Sequence, residues 1–158
     1  MNASFVRTKP FAGNIGFITQ SGALGDSIID FATDLDLVFS IFASIGNKSD
    51  INANQLLEYL RDDPNTQVIC LYLESLDETD EFIRITRAVT PYKPVLTIKT
   101  GRTQAGAKAS ISHTGSIAGS ETGTEALFEK CGIQRVNGVT DLFDAAQILG
   151  KQVVPTNN

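Results

Sequence analysis

The chain has 158 residues, 42% of them hydrophobic and 20% charged, with two cysteines, one histidine and a formal net charge of −5. That length suits one domain able to bury a core without staples, and the composition is ordinary for a soluble globular protein. No apolar run approaches the ~20 residues of a membrane span, Met1-Asn2-Ala3-Ser4 lacks the basic-then-apolar pattern of a secretory signal, and the acidic balance weighs against nucleic acid as a partner.

Short β-rich runs alternate with helical patterns. Residues 15–19 form the first expected strand, and Ser21-Gly22 turns it into a helix. Leu24, Ile28, Phe31, Ala32 and Leu35 recur there at the spacing of one apolar face. Residues 38–45 are the second strand. A helix over 52–61 follows, with Leu56, Leu57 and Leu60 inward and Asp50 or Asn52 as its cap. Val68–Leu73 is unbroken apolar sequence, as in the middle of a parallel sheet covered on both faces. Cys70 lies within it, far from Cys131. Two such cysteines make neither a disulfide framework nor a zinc site, and read as reduced structural thiols of a cytoplasmic protein. With a single histidine, no metal is expected.

A third helix carries Phe82, Ile85, Thr86 and Val89 on one face, and Pro91 and Pro94 end it. Val95–Lys99 is the fourth strand. After a long loop, Ser120 caps a helix with Glu121 in its first turn, Lys130 in its last and Gly132 just beyond, the order a helix dipole favours. Residues 134–136 make a short fifth strand. Thr140 caps a final helix with Leu142, Ala145, Ala146 and Leu149 inward, and residues 153–158 read as a tail.

Five strands alternating with five helices indicate an open parallel α/β sheet, which binds ligands outside the C-terminal ends of its strands. The residues expected at that edge are Thr19 to Gly22, Ile45 to Lys48, Leu73 to Ser75, and Lys99 onward. The loop over 100–119 is rich in glycine, serine and threonine, and a loop that long within a domain is either functional or disordered. Residues 82–120 contain no Asp or Glu but do contain Arg84, Arg87, Lys93, Lys99, Arg102 and Lys108. Such clustering marks either a site for a small anion or chance placement on solvated faces.

Three features could carry chemistry. Gln20-Ser21-Gly22-Ala23-Leu24-Gly25 joins a strand to a helix start, where free N–H groups and the positive dipole end suit an anion. It lacks the lysine of a P-loop and reads equally as a plain cap by Ser21. Glu74 ends the third strand, as a cap for the next helix or as part of a site. His113 sits in the long loop among Gly101, Gly106, Gly115 and Gly119, with Lys99, Arg102 and Lys108 near it in sequence. A lone exposed histidine is usually incidental. Here the glycines allow close backbone approach to a phosphate, and imidazole suits covalent phosphate carriage when a carboxylate fixes its second nitrogen. Glu74, on the strand expected beside the one feeding the loop, is the best-placed partner.

These residues bring a family into view. Gly13-Asn14-Ile15 running into Thr19-Gln20-Ser21-Gly22-Ala23-Leu24-Gly25, then Ser44-Ile45-Gly46-Asn47-Lys48-Ser49-Asp50 and Tyr72-Leu73-Glu74-Ser75, resembles the NDP-forming acyl-CoA synthetases. So do Lys99-Thr100-Gly101-Arg102-Thr103, Ala105-Gly106-Ala107-Lys108 and Ser112-His113-Thr114-Gly115. Those enzymes are related to the alpha subunit of succinyl-CoA synthetase, and the similarity runs in order from about Asn2 to Ile148. The resemblance implies a flavodoxin-like five-stranded parallel sheet of order 2-1-3-4-5 with helices on both faces. It implies a linker from a CoA-binding domain over residues 1–12, the flavodoxin-like domain over 13–150, and a tail over 151–158.

It further implies a reversible relay in which acyl-CoA and phosphate give acyl phosphate and CoA, the acyl phosphate phosphorylates His113, and the loop carries the phosphoryl group to ADP. Glu74 is then the orienting carboxylate. Gln20, Ser21, Gly22, Ala23, Gly46, Asn47, Thr114 and Gly115 contact phosphate, and Lys99, Arg102 and Lys108 assist phosphate or loop docking. No cofactor is held by this domain alone. ATP or ADP with Mg2+, and CoA, enter through an ATP-grasp domain or subunit and a CoA-binding domain, neither of which fits in the chain, so it reads as a piece inactive by itself. Related protein acetyltransferases carry a similar regulatory domain in which the histidine can be absent. A receiver domain would need an aspartate cluster where Thr19-Gln20 stand, and a non-catalytic nucleotide or flavin module would use the same strand edge.

Overall fold

The computed structural model describes residues 11–46, 50–76, 78–100 and 121–152. Along them run β1 (Phe11–Thr19), α1 (Gly22–Asp34), β2 (Val38–Ser44), α2 (Ala53–Asp62), β3 (Val68–Leu73), α3 (Thr79–Val89), β4 (Val95–Lys99), α4 (Glu121–Lys130), β5 (Gln134–Arg135) and α5 (Val139–Lys151). The strands pair in parallel in the order β2-β1-β3-β4-β5, with β3 between β1 and β4. This is the flavodoxin-like order expected.

Side chains alternate across a strand, so β3 supplies both cores. Ile69, Leu71 and Leu73 pack with Leu57 and Leu60 of α2, Phe82, Ile85 and Val89 of α3, and Phe128 of α4. Val68 and Cys70 face the opposite way, toward Ile28 and Ala32 of α1 and Leu142, Phe143 and Ala146 of α5. Two covered faces explain why β3 is apolar throughout instead of alternating. Phe17 of β1 is fully buried in the second core, stacked on Phe42 at 5.1 Å and 5.9 Å from Phe143. Cys70 and Cys131 are free and buried, and burial pushes the Cys70 thiol up, keeping it protonated.

Local chemistry sets the element ends. Of the two candidate caps for α2, the structure uses Asn52: its Oδ1 accepts from the Gln55 N–H at 3.1 Å, and Gln55 Oε1 accepts from the Asn52 N–H at 2.9 Å. That is a complete capping box. Gly132 takes the left-handed conformation (φ 69°) just past α4, as its position predicts. Thr140 is not the cap of α5. Gly138 is, because its carbonyl already accepts from the Leu142 N–H at 3.0 Å, which leaves Thr140 exposed inside the first turn.

Three further expectations are corrected. β1 begins at Phe11 rather than residue 15, since it pairs with Val38 of β2 from its first residue. On α1, Phe31 is 37% exposed at the rim while Ile29 is buried, so the inward face is rotated toward Ile28 and Ile29. β5 is two residues long, although the Val136 N–H still donates to Thr97 O at 2.9 Å. The Ser120 cap, most of the linker and the tail over 153–158 lie outside the described residues. Among those described, no helix is long and apolar enough to cross a membrane, and no cluster of His, Cys, Asp or Glu is suited to a metal ion.

Because Phe17 ties three other aromatic side chains together, Phe17→Ala is expected to cost about 3–5 kcal/mol, read as a lower urea midpoint at unchanged slope. A loss below ~1 kcal/mol would show that the stack is not part of the core.

Candidate functional site

The strand order reverses between β1 and β3, and the crevice past their C-terminal ends is where an open α/β sheet takes its ligand. Helix α1, which follows β1, packs on one face of the sheet, and α3, which follows β3, packs on the other. The register brings the strand ends level: Thr19 is opposite both Ser44 and Tyr72, and Leu73 is opposite Lys99. One more ladder bond follows on each side, Ile45 N to Thr19 O at 2.9 Å, Gln20 N to Tyr72 O at 3.0 Å and Thr100 N to Leu73 O at 2.9 Å. Gln20, Gly46, Glu74 and Thr100 therefore emerge along one edge.

Ser21 is the N-cap of α1, its Oγ accepting from the Leu24 N–H at 3.4 Å. Thr19 stiffens this turn, its Oγ1 accepting from the Ser21 N–H at 3.0 Å and donating to Ser21 O at 3.1 Å. The N–H groups of Gly22 and Ala23, both exposed, have no acceptor within their own helix and sit at its positive end. A Cβ built on Gly22 meets nothing within 4 Å, and the same holds at Gly46, where φ of 49° favours glycine. Open space lies before both glycines, as a bound anion would require.

Glu74 is half-buried immediately past β3. Burial, and secondarily the Glu74 charge, pushes the neighbouring Tyr72 phenol up. Gln20 is 6% exposed, and its amide is turned toward β3: Oε1 accepts from the Glu74 N–H at 2.7 Å and the Ser75 N–H at 2.9 Å, and Nε2 donates to Ser75 O at 3.0 Å. Lys99 donates to Glu74 O and Thr100 O, both at 2.8 Å. Of the residues expected in the site, the structure brings Gln20, Ser21, Gly22, Ala23, Gly46, Glu74 and Lys99 to one edge. His113, Thr114, Gly115, Asn47, Arg102 and Lys108 lie outside the described residues.

The described part of the basic stretch divides among separate tasks. Arg84 pairs with Glu81 at 2.6 Å and Glu58 at 3.4 Å, and Lys93 donates to Leu60 O and Asp63 O at the end of α2. Only Lys99, among its described members, reaches the strand edge. Arg135 went unnoticed in the sequence. Its side chain is 6% exposed, ion-paired with Glu121 at 2.7 Å and Glu125 at 2.8 Å, and it donates to Lys99 O at 3.1 Å. Burial works against its charge, but the bonds to Glu125 and Glu121 raise its pKa on balance. An arginine in the short fifth strand, with glutamates spaced four apart on the preceding helix, was the available signal.

The family model of the succinyl-CoA ligase like flavodoxin domain matches residues 12–149. The chain belongs to this family. This succinyl-CoA ligase-like domain is 39% identical, over its whole length, to an ADP-forming acetate–CoA ligase of Methanocaldococcus jannaschii, of which it covers 22%. It is 37% identical over 98% of its length to the alpha subunit of ADP-forming acetate–CoA ligase I of Pyrococcus furiosus, covering 34% of that chain. Among solved structures, 99% of the domain superposes with a TM-score of 0.93 and 39% identity on 34% of the dinucleotide forming acetyl-coenzyme A synthetase 1 of Ca. Korarchaeum cryptofilum, in complex with phosphate and ADP. The chain thus spans about a fifth to a third of these relatives.

Since packing does not require Gly22, Gly22→Ala is expected to leave stability unchanged or to raise it by no more than ~1 kcal/mol. A clear loss in a urea titration would show that the glycine serves the fold and not the open space before it.

Proposed function

We propose that this domain is the phosphohistidine-carrying part of an ADP-forming acyl-CoA ligase, relaying phosphate between an acyl phosphate and ADP. The observation that supports it most is Glu74 fixed at the switch point, on the same strand edge as the open helix start Ser21-Gly22-Ala23. A carboxylate beside an anion-binding helix end is what a histidine needs in order to hold a phosphoryl group. The relatives named as ADP-forming ligases, and the similar structure that holds phosphate and ADP, agree with this.

In the relay, one imidazole nitrogen of His113 attacks the phosphorus of the acyl phosphate. The N–P bond forms, the bond to the acyl oxygen breaks, and the carboxylic acid leaves as its anion. The Glu74 carboxylate accepts a hydrogen bond from the protonated second nitrogen, holding the tautomer and stabilising the cationic phosphoimidazole. The N–H groups at the start of α1, with Gly46 and Asn47, bind the phosphoryl oxygens, and Thr114 and Gly115 add contacts beside the histidine. Arg102 and Lys108 assist loop or phosphate docking. Transfer to ADP then restores the free imidazole. CoA and the Mg2+-bound nucleotide are brought by a CoA-binding domain and an ATP-grasp domain or subunit, so the isolated chain is inactive.

With the remaining domains present, acyl-CoA, phosphate and ADP should give ATP, and His113→Ala should abolish it. Label from phosphate should be retained on the wild-type protein in base and lost in acid, as phosphohistidine is and an acyl phosphate is not. Label that persists in His113→Ala would overturn the assignment.

A further inference from the structure

We infer that Gln20 is a positioning residue that acts through Glu74, an inference that rests on the reading of Glu74 as the carboxylate serving His113. Glu74 lies where β3 has run out of strand neighbours. On one side the ladder ends with Gln20 N to Tyr72 O, and on the other with Thr100 N to Leu73 O. A backbone leaving a sheet must still satisfy its polar groups, and most chains do so with turns or water. Here two side chains do it, one from the residue just past β1 and one from the last residue of β4. The Glu74 N–H is held by Gln20 Oε1 and its carbonyl by Lys99 Nζ, so the peptide units before and after its Cα are both tied.

Gln20 does most of this. Its three bonds draw two consecutive N–H groups, those of Glu74 and Ser75, onto one amide oxygen and the Ser75 carbonyl onto the amide nitrogen, and so hold the turn that follows β3. Its own main-chain N–H is used in the sheet, and its side chain is 6% exposed. Burying an amide is costly unless it is fully paired. An apolar side chain would fill the space without that liability, but it would take this acceptor away from the Glu74 and Ser75 N–H groups. The gain is a carboxylate whose Cα sits at a set distance from the start of α1. Catalytic groups tolerate displacements of only ~0.5 Å before rate is lost. Gln20 accordingly serves the phosphate site by holding Glu74, not by donating its amide to the anion.

The test uses the full enzyme and measures single-turnover phosphorylation from acyl phosphate for Gln20→Met, Glu74→Ala and the double variant. Gln20→Met keeps length and volume but has no group to bind the turn. It should slow phosphorylation by about 10- to 100-fold at saturation, with little change in KM. In the Glu74→Ala background the same substitution should have no further effect. Should Gln20→Met not fold, Gln20→Asn, which withdraws the amide by one methylene, carries the same cycle. A Gln20 variant as fast as wild type, or effects that multiply with Glu74→Ala, would overturn the inference while leaving the relay standing. If Glu74→Ala itself is silent although His113 still takes the label, the role of Glu74 fails and this inference with it.

Discussion

The parallel pairing of β1 with β3, ending with Thr19 against Tyr72, is the constraint on which the rest of the structure depends. These two strands are neighbours in the sheet but not in sequence, so the chain leaves their ends in opposite directions, into α1 on one face and toward α3 on the other. In an open sheet of this kind the ligand crevice lies between the departing segments. The N–H groups that start α1 face it from one side, and the first residues past β3 face it from the other. A sheet in which β1 and β3 were not adjacent would separate Ser21 from Glu74.

Rigidity at this edge comes from polar side chains used as backbone. Gln20 completes the turn after β3, Lys99 caps the Glu74 carbonyl, and Arg135 holds Lys99 O while pairing with two glutamates of α4. Each links segments far apart in sequence. Together they hold the ends of β1, β3, β4 and β5 to one another just where hydrogen bonding between strands gives out. The apolar cores beneath supply stability, while these bonds define the shape of the edge.

Much of this was legible in the sequence. The unbroken run Val68–Leu73 marked the central strand, and the spacing of Phe82, Ile85, Thr86 and Val89 marked the buried face of α3, because burial on a regular element imposes its period. Neighbouring apolar residues on one helix were harder to rank. Phe31 and Ile29 sit on either side of Ile28, and the apolar spacing alone does not decide which turns inward. Thr140 lost the cap to Gly138 because the path of the chain out of β5, and not side-chain preference, sets where the first helical bond forms. At the site, Gln20 and Lys99 were recognisable as edge residues, and the resemblance suggested a phosphate contact for Gln20 and phosphate or loop docking for Lys99. Their partners at Glu74 lie 54 and 25 residues away, a pairing that depends on the assembled sheet. Arg135 was hidden for the same reason.

The chain belongs to a family whose domain is found within ligases several times its length, and at its strand edge the register brings an open helix start level with the backbone-tied Glu74. Whether the phosphoryl group rests on His113 is read most directly by phosphorus NMR of the intact enzyme, denatured at alkaline pH after reaction with acyl phosphate. A phosphoramidate resonance that is present in the wild-type protein and missing from His113→Ala is the expected result. A resonance from a phosphorylated serine or threonine, or no protein-bound phosphorus at all, would contradict it.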